Sequence, residues 1–286
     1  MLLKKATEEF NHYLQSKERS KETSRGYSIV LTDFLRYLEK ELNGQVYLDE
    51  ITVDHMEGYL DYRKQQGDQP VSRNRALYIF RSFFSYLIKR DLVEKNLSLK
   101  LEPIQTQKKE RTYLLPDEVE ILIDAIDHPL VKVAAITMAN TGLRVSELCN
   151  LTLDDVDLKT QMIKVHQGKG NKDRTVPINS KLLAVLTKYL KEQRSLVKSN
   201  QFFATTKTGK LSRQTINHEL NEATTRLNWT KHVTAHILRH SFASTLVRNN
   251  ASLPAVQSLL GHSDLRVTSR YIHQDLGQLQ AAVNLI

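Results

Sequence analysis

Apolar residues recur at helical spacing through most of the 286-residue chain, and the first hundred residues divide into four such segments. Spacings of i, i+3, i+4 and i+7 are typical of a helix that buries one face. Thr52 is placed to cap the third helix, which we expect to end near Gly67. The apolar positions that define the first two helices are Phe10, Tyr13 and Leu14, followed by Tyr27, Val30, Leu31, Phe34, Leu35 and Leu38.

The fourth segment, from about Val71 to Arg90, predicts a helix with one apolar and one basic face. A basic helix face is either solvated or used for phosphate contacts, and charge alone favours solvation. A second domain that handles DNA would instead favour phosphate contacts. The apolar face carries Leu77, Phe80, Phe84, Leu87 and Ile88, and the basic face carries Arg73, Arg75, Arg81, Lys89 and Arg90.

The length of the chain favours two domains, and the helical pattern lapses between residues 101 and 113. That segment is polar and basic, and it contains Pro103, which disfavours a helix. We therefore predict a helical domain at 1–100, a linker at 101–113 and a second domain at 114–286.

The second domain is predicted to be mostly helical, with one small antiparallel sheet. The stretches MIKVH (162–166) and RTVPI (174–178) are β-branched and flank the turn QGKGNKD, so they predict a hairpin. The acidic stretch DDVD (154–157) is most simply a turn. Helices are expected from Pro116, at about 130–141 up to Gly142, at 180–195, 212–227, 234–248, 252–260 and 264–272, and from about 275. The fold class is thus mainly α, with an α+β second domain.

The composition favours a polyanionic partner inside the cell. The net charge is +9, and +7 of it lies in residues 101–286, which is typical of proteins that bind nucleic acid. Cys149 is the only cysteine, so the chain holds no internal disulfide, and a reducing compartment fits. The first residues break into charge too early for a signal peptide, and no apolar run approaches the roughly 20 residues of a membrane span. We expect a cytoplasmic protein without a membrane partner.

Five short stretches carry residues suited to phosphate chemistry. Each residue alone has an ordinary alternative: Arg144 could pair with Glu147 within a helix, and Lys169 could be an exposed turn lysine. Their order and spacing together argue against coincidence. The residues are Arg144 in TGLRVSEL, Lys169 in GKGNKDR, His236 and Arg239 in HILRH, His262 in LLGH, and Tyr271 in SRYIH.

This order of an arginine, a lysine on a β-hairpin, His-x-x-Arg, a histidine and a tyrosine resembles the catalytic boxes of the tyrosine recombinase (lambda-integrase-like) family. The match spans about 144–273, and the N-terminal helices resemble the SAM-like, four-helix core-binding domain of that family. The plan is similar to that of Xer recombinases and transposon-encoded resolvases, since we expect no arm-type DNA-binding domain before the helical bundle.

The resemblance implies that DNA is cut by transfer of a phosphodiester to a protein hydroxyl, through a negatively charged transition state that cations stabilise. It implies that Tyr271 is the nucleophile, which forms a 3′-phosphotyrosyl bond. Arg144 and Arg239 would bind the scissile phosphate, because guanidinium groups pair with phosphate oxygens and keep their charge. His262 would donate a third hydrogen bond.

By the same resemblance, Lys169 is the general acid for the departing 5′-hydroxyl, and His236 is associated with proton removal. The division of acid and base roles among Lys169, His236 and His262 stays open. Glu147 is interpreted as orienting Arg144, and His240 as a structural residue. The scheme requires neither a metal nor another cofactor.

The expected partner is double-stranded DNA with inverted binding arms, bound by a homotetramer on two sites or by a heteromer with a paralogous recombinase. The predicted DNA contacts are Arg73, Arg75, Arg81, Lys172 and Arg174, although Lys172 also fits a plain turn lysine.

The C-terminal tail has apolar positions at spacings of three and four, which are Leu276, Leu279, Val283 and Ile286. We expect the tail to dock either on its own domain or on a neighbouring protomer.

Two other functions share parts of this pattern. A type IB topoisomerase uses the same chemistry to relax supercoils, and a non-catalytic DNA-binding regulator could keep the fold. The C-terminal tail and the compact helical bundle favour recombination over the topoisomerase, and the full set of catalytic residues argues against the regulator. Within recombination, resolution of replicon dimers, resolution of transposon cointegrates and integration or excision of a mobile element are all compatible with the sequence.

Overall fold

The computed structural model describes residues 1–106, 112–166, 173–194 and 198–261. Within these ranges the chain forms eleven α-helices and a three-stranded antiparallel sheet, which confirms the predicted fold class. The chain divides into two compact units, Met1–Lys109 and Glu110–Ile286. In the described part of the chain, no helix combines the length and apolar character that a membrane crossing requires.

Unit 1 consists of the four predicted helices around an aromatic core. Thr52 caps the third helix as predicted, because its hydroxyl accepts a hydrogen bond from the backbone N–H of His55 at 3.2 Å. Phe34, Tyr59 and Phe80 form a buried aromatic cluster with ring centroids 4.6–5.8 Å apart. The helices are α1 (Leu3–Ser16), α2 (Lys21–Glu41), α3 (Val53–Gln65) and α4 (Pro70–Ile88).

The first residues of the predicted linker pack as part of unit 1. Leu101 is buried, and its carbonyl accepts a hydrogen bond from Arg81 Nη2 at 2.8 Å. Asn74 exchanges two hydrogen bonds with the backbone of Ile104, at 2.7 and 2.8 Å. Residues 101–104 are bound by side chains of α4 and do not form a helix. Their packing therefore could not be predicted from the spacing of apolar residues.

Unit 2 contains the remaining helices and the sheet. The predicted helix starting at Pro116 and the predicted end at Gly142 are both confirmed. The helices expected at 264–272 and from about 275 lie outside the described residues. The helices of unit 2 are α5 (Pro116–Asp124), α6 (Pro129–Thr141), α7 (Val145–Asn150), α8 (Ser180–Glu192), α9 (Arg213–Arg226), α10 (Ala235–Arg248) and α11 (Leu253–Leu260).

The predicted hairpin is confirmed, with β2 (Met162–Val165) antiparallel to β3 (Arg174–Pro177). Its turn, residues 167–172, lies outside the described residues. The expectation of a plain turn at 154–157 is wrong in its second half, because Val156–Asp157 forms β1 and pairs with β2. A strand of two residues is too short to show the alternation by which strands are recognised.

Helix α6 lies at the centre of unit 2 and packs on α10 more extensively than on any other helix. It ends at Gly142, whose φ of +63° is the left-handed conformation that glycine adopts without strain. A Cβ there would lie 2.4 Å from Phe242 Cδ1 and 2.9 Å from Leu260 Cδ2. The glycine therefore lets α10 and α11 approach the loop that leads to Arg144.

We predict that Gly142→Ala destabilises unit 2 more than Gly209→Ala does. Both glycines have positive φ, a conformation that costs an L-residue roughly 1–2 kcal/mol. Only the Gly142 variant adds a clash, which costs about 1–3 kcal/mol in a packed core. Denaturant unfolding followed by the fluorescence of Trp229, the single tryptophan, measures both changes. Equal losses in the two variants would contradict the close packing at Gly142.

Candidate active site

Glu147 is a buried carboxylate that contacts arginines from three different parts of unit 2; its side chain is only 6% exposed. Its Oε2 accepts a hydrogen bond from the backbone N–H of Arg144 at 2.7 Å, which caps the first turn of α7. Its Oε1 accepts from Arg144 Nη1 at 2.6 Å. Arg174 donates to both oxygens, at 2.9 and 2.7 Å, in a bidentate pair. Arg239 Nη1 lies 3.9 Å from Oε2.

Burial alone would raise the pKa of Glu147, but the hydrogen bonds from Arg174 and Arg144 outweigh it and lower the pKa to about 2. The carboxylate is therefore ionised at neutral pH. Three guanidinium groups around one carboxylate leave the cluster with an excess of positive charge. Such a cluster is suited to binding an anion.

The same three arginines also bind the C-terminal end of α11. Arg174 Nε donates to the Leu259 carbonyl at 2.8 Å, and Arg239 Nη2 donates to the Leu260 carbonyl at 2.7 Å. Arg144 Nη2 lies 3.4 Å from the carbonyl of Gly261. The last carbonyls of a helix lack partners within it and carry the negative end of its dipole, so they attract cations. The arginine cluster thus fixes the point at which the chain leaves α11.

Gly261 ends α11 in the left-handed conformation, with φ +63°, directly after the last residue of the helix predicted at 252–260. A Cβ at this position would lie 3.0 Å from both Cδ and Nη1 of Arg174. A side chain there would therefore press on the Arg174 side chain as well as strain the backbone. His262 follows directly in the sequence and, like Tyr271, lies outside the described residues.

The three arginines differ in their access to solvent. The side chain of Arg144 is 25% exposed, whereas that of Arg239 is 3% exposed and that of Arg174 is 9% exposed. Arg239 also donates to the Gly142 carbonyl at 2.6 Å, which ties α10 to the loop before α7. Arg144 is therefore the most accessible guanidinium of the cluster.

The two histidines of HILRH have different surroundings on α10. His236 is exposed in the first turn of the helix, one turn before the buried Arg239. His240 is buried and lies edge-on to Tyr113, with ring centroids 6.1 Å apart. Of the two, only His236 is at the surface in the described part of the chain.

His166 joins the two strands at the base of the hairpin that carries Lys169. Its Nε2 lies 2.9 Å from Asp155 Oδ1 and its Nδ1 lies 3.2 Å from Asp173 Oδ2. The hydrogen bond with Asp173, together with the charge of Asp155, raises the pKa of His166 above its ordinary value of 6.5. Lys169 and Lys172 themselves lie outside the described residues, in the turn between the strands.

In unit 1, basic residues from α2, α3 and α4 line a cavity of about 390 Å³, including Arg63, Arg73 and Arg75. Arg75 packs so closely on Gly26 that a side chain at that glycine would clash with its guanidinium group. Arg81, besides its bond to Leu101, lies over the ring of Tyr78 at 5.6 Å. The predicted DNA contacts of α4 therefore include two, Arg73 and Arg75, at one concave surface.

The side chain of Arg174 points into unit 2. It was predicted as a DNA contact, yet its described partners are Glu147 and the Leu259 carbonyl. The alternation of residues in β3 indicated this direction, because alternate residues of a strand share a face and Val176 is buried. Arg174 is two residues from Val176 and so lies on the same side as the core.

The comparisons with known proteins agree with this fold. Residues 112–277 match the phage integrase family, and residues 7–91 match the phage integrase N-terminal SAM-like domain. The chain therefore belongs to the phage integrase family and is an enzyme of the tyrosine recombinase class. It is 32% identical to tyrosine recombinase XerD of Oceanobacillus iheyensis, over 98% of this chain and 97% of that protein.

Another curated relative, tyrosine recombinase XerC of Caldanaerobacter subterraneus, is 31% identical over 97% of this chain and 85% of its own length. Two solved structures share the fold at low identity. The Tn1549 transposon integrase with transposon right end DNA has a TM-score of 0.80 at 17% identity, covering 100% of this chain and 99% of that one. A lambda integrase dimer bound to a COC′ core site has a TM-score of 0.79 at 20% identity, covering 95% of each chain. The two curated relatives are tyrosine recombinases by name, which disfavours the topoisomerase and regulator alternatives.

We predict that Glu147→Gln lowers the free energy of unfolding of unit 2 at pH 7. The difference in this free energy between the variant and the parent should become smaller at acid pH. A carboxyl whose pKa falls from 4.5 to about 2 on folding contributes stability above pH 4.5, and this contribution is lost as the pH falls towards 2. The loss at pH 7 should be on the order of 3 kcal/mol.

Denaturant curves from pH 7 to pH 3 measure the difference. Glu120→Gln is the matched control, since it removes one carboxylate from an exposed pair with Lys181. A difference in the free energy of unfolding between Glu147→Gln and the parent that stays constant down to pH 3 would contradict the lowered pKa of Glu147.

Proposed function

We propose that this protein cuts and rejoins double-stranded DNA at specific sites through a covalent bond between Tyr271 and a 3′-phosphate. The observation that carries the proposal is the cluster of three arginines around Glu147, within the part of the chain that matches the phage integrase family. Arg144 and Arg239 bind the non-bridging oxygens of the scissile phosphate, where their charge stabilises the transition state.

In the cleavage step the phenol oxygen of Tyr271 attacks the phosphorus, and the bond from phosphorus to the 5′-oxygen breaks. The phenol loses its proton to a base, and the departing 5′-oxygen gains one from an acid. His262 donates a further hydrogen bond to the phosphate. In the second step a 5′-hydroxyl of the partner strand attacks the phosphotyrosine and releases the enzyme. Each step exchanges one phosphoester bond for another of similar energy, so neither ATP nor a metal is required.

Lys169 serves as the general acid for the departing 5′-oxygen, because it stands between β2 and β3 in the sequence, where the family carries its lysine. His236 is exposed in the first turn of α10, one turn from Arg239, which supports a role in proton removal from the phenol. His262 is the other candidate for this base.

DNA binding uses basic surfaces of both units. In unit 1 the arginine-lined cavity between α2, α3 and α4 supports phosphate contacts by Arg73 and Arg75, with Arg81 further along α4. In unit 2 Lys172, beside Lys169, supplies a phosphate contact. Such contacts contribute most of the affinity and make it dependent on salt.

Recombination needs two DNA sites with inverted binding arms, and we propose a tetramer that holds them. A lambda integrase tetramer bound to a Holliday junction shares the fold, with a TM-score of 0.79 at 19% identity. A heteromer with a paralogous recombinase is compatible with the same arrangement, and a cytoplasmic location fits a DNA substrate.

Unit 2 offers a place for the apolar tail. A cavity of about 500 Å³ between α5, α6, α8 and α10 has an apolar part, with Ile123, Ile136, Phe242 and Leu246, and polar and charged side chains in the rest of its lining. The tail after Tyr271 carries apolar residues at helical spacing, and we propose that it docks in this cavity of a neighbouring protomer. Because few residues separate Tyr271 from the tail, docking would couple the nucleophile to its neighbour.

We predict that Tyr271→Phe abolishes covalent attachment to DNA and leaves site binding within about 2-fold of the parent. The substitution removes only the hydroxyl that forms the bond, while the phosphate contacts that dominate affinity remain. A gel-shift titration and a cleavage assay on a nicked substrate measure the two properties. Residual covalent adduct in the variant would exclude Tyr271 as the nucleophile.

We predict that truncation after Asp275 leaves single-site binding detectable and removes cooperative assembly and recombination. Gel shifts on two-site DNA and sedimentation measure the assembly, and an assay with two target sites measures strand exchange. Continued tetramer formation and recombination would contradict docking on a neighbour. Loss of cooperative unfolding in the truncated protein would show instead that the tail packs on its own unit.

A further inference from the structure

Arg174 stands beside the proposed catalytic residues and is not one of the groups that the proposed reaction uses. It is the first residue of β3, the strand that follows the turn with Lys169 and Lys172. Its side chain is only 9% exposed, and its guanidinium group is directed at protein atoms. Each of its three guanidinium nitrogens already donates to a protein acceptor, so the described geometry disfavours the DNA contact that the sequence predicted.

The contacts of Arg174 join three elements that are far apart in the sequence. Two of its nitrogens donate to the two oxygens of Glu147 on α7, at 2.9 and 2.7 Å. Its Nε donates to the carbonyl of Leu259 on α11, at 2.8 Å. The two terminal nitrogens of the planar guanidinium group thus bind the carboxylate, and its Nε–H binds the end of the helix. Lysine could not reproduce this set of bonds.

Each of the joined elements leads to a residue of the proposed reaction. Glu147 also binds Arg144, so its orientation sets the position of the accessible guanidinium. Leu259 lies three residues before His262 in the sequence, and β3 connects directly to the turn with Lys169. The close contact of Arg174 with Gly261 leaves little room for the end of α11 to shift.

We infer that Arg174 is a positioning residue, which aligns the hairpin, Arg144 and the end of α11 for cleavage without contacting DNA. The inference rests on the proposed function, because the groups that it aligns are those of the recombinase reaction. Misplacement of reacting groups by about 1 Å can slow a reaction about 100-fold, so removal of Arg174 should act on the rate of cleavage rather than on affinity.

The test compares the parent with Arg174→Lys, Arg174→Gln, Glu147→Gln and the Glu147→Gln/Arg174→Gln double variant. Cleavage is measured as a single turnover on a nicked suicide substrate at saturating protein, and affinity by gel shift at several salt concentrations. Lys188→Ala is the matched control, since it removes one exposed positive charge of unit 2.

We expect the Arg174 variants to bind DNA within about 3-fold of the parent, with an unchanged slope of log K against log salt. Cleavage should slow by about 10- to 100-fold in Arg174→Gln and less in Arg174→Lys. The double variant should cleave no more slowly than the slower single variant, because both residues act through one contact.

A salt slope reduced by about 0.9, with the cleavage rate unchanged at saturation, would make Arg174 a phosphate contact and overturn the inference. Additive effects in the double variant would also overturn the inference. Loss of cooperative unfolding in both Arg174 variants would overturn it as well, because the role of Arg174 would then be only to stabilise the fold. Failure of the parent to form an adduct would count against the proposed function. Unchanged variant rates beside an active parent would count against this inference only.

Discussion

The ionised carboxylate of Glu147, buried among three guanidinium groups, is the interaction on which the site of unit 2 depends. Burial of a carboxylate is unfavourable unless its oxygens are hydrogen-bonded and its charge is paired. Both oxygens of Glu147 are satisfied by Arg144 and Arg174, which keeps the pKa at about 2. Removal of the carboxylate would leave positive charges close together without their counter-ion, so the cluster is stable only as a whole.

The same arrangement explains how elements that are distant in sequence reach one place. Arg239 on α10 binds the carbonyl of Gly142, and Arg239 and Arg174 bind consecutive carbonyls at the end of α11. Guanidinium groups therefore replace the backbone hydrogen bonds that two helix ends lack. Arg239, which we propose to bind the scissile phosphate, is thus held by the backbone that leads to the proposed nucleophile.

Local features of the site were predictable from the sequence, and long-range ones were not. The glycine caps at Gly142 and Gly261 and the hairpin follow from neighbouring residues, because caps and paired strands have short signatures. The bond from Arg239 to Gly142 joins residues 97 positions apart and leaves no local pattern. The inward direction of the Arg174 side chain was not predicted, because a basic residue next to a basic turn suggests a surface, although strand alternation places it on the same side as Val176.

The most direct test of the account is to identify the residue that becomes attached to DNA. Protein trapped on a nicked suicide substrate would be digested with trypsin and analysed by mass spectrometry, with each DNA end labelled separately. Cleavage after Arg270 would release the peptide 271–286, which begins with Tyr271. We expect this peptide to carry the nucleotide through a 3′-phosphate. A nucleotide on any other residue, or a bond to a 5′-phosphate, would contradict it.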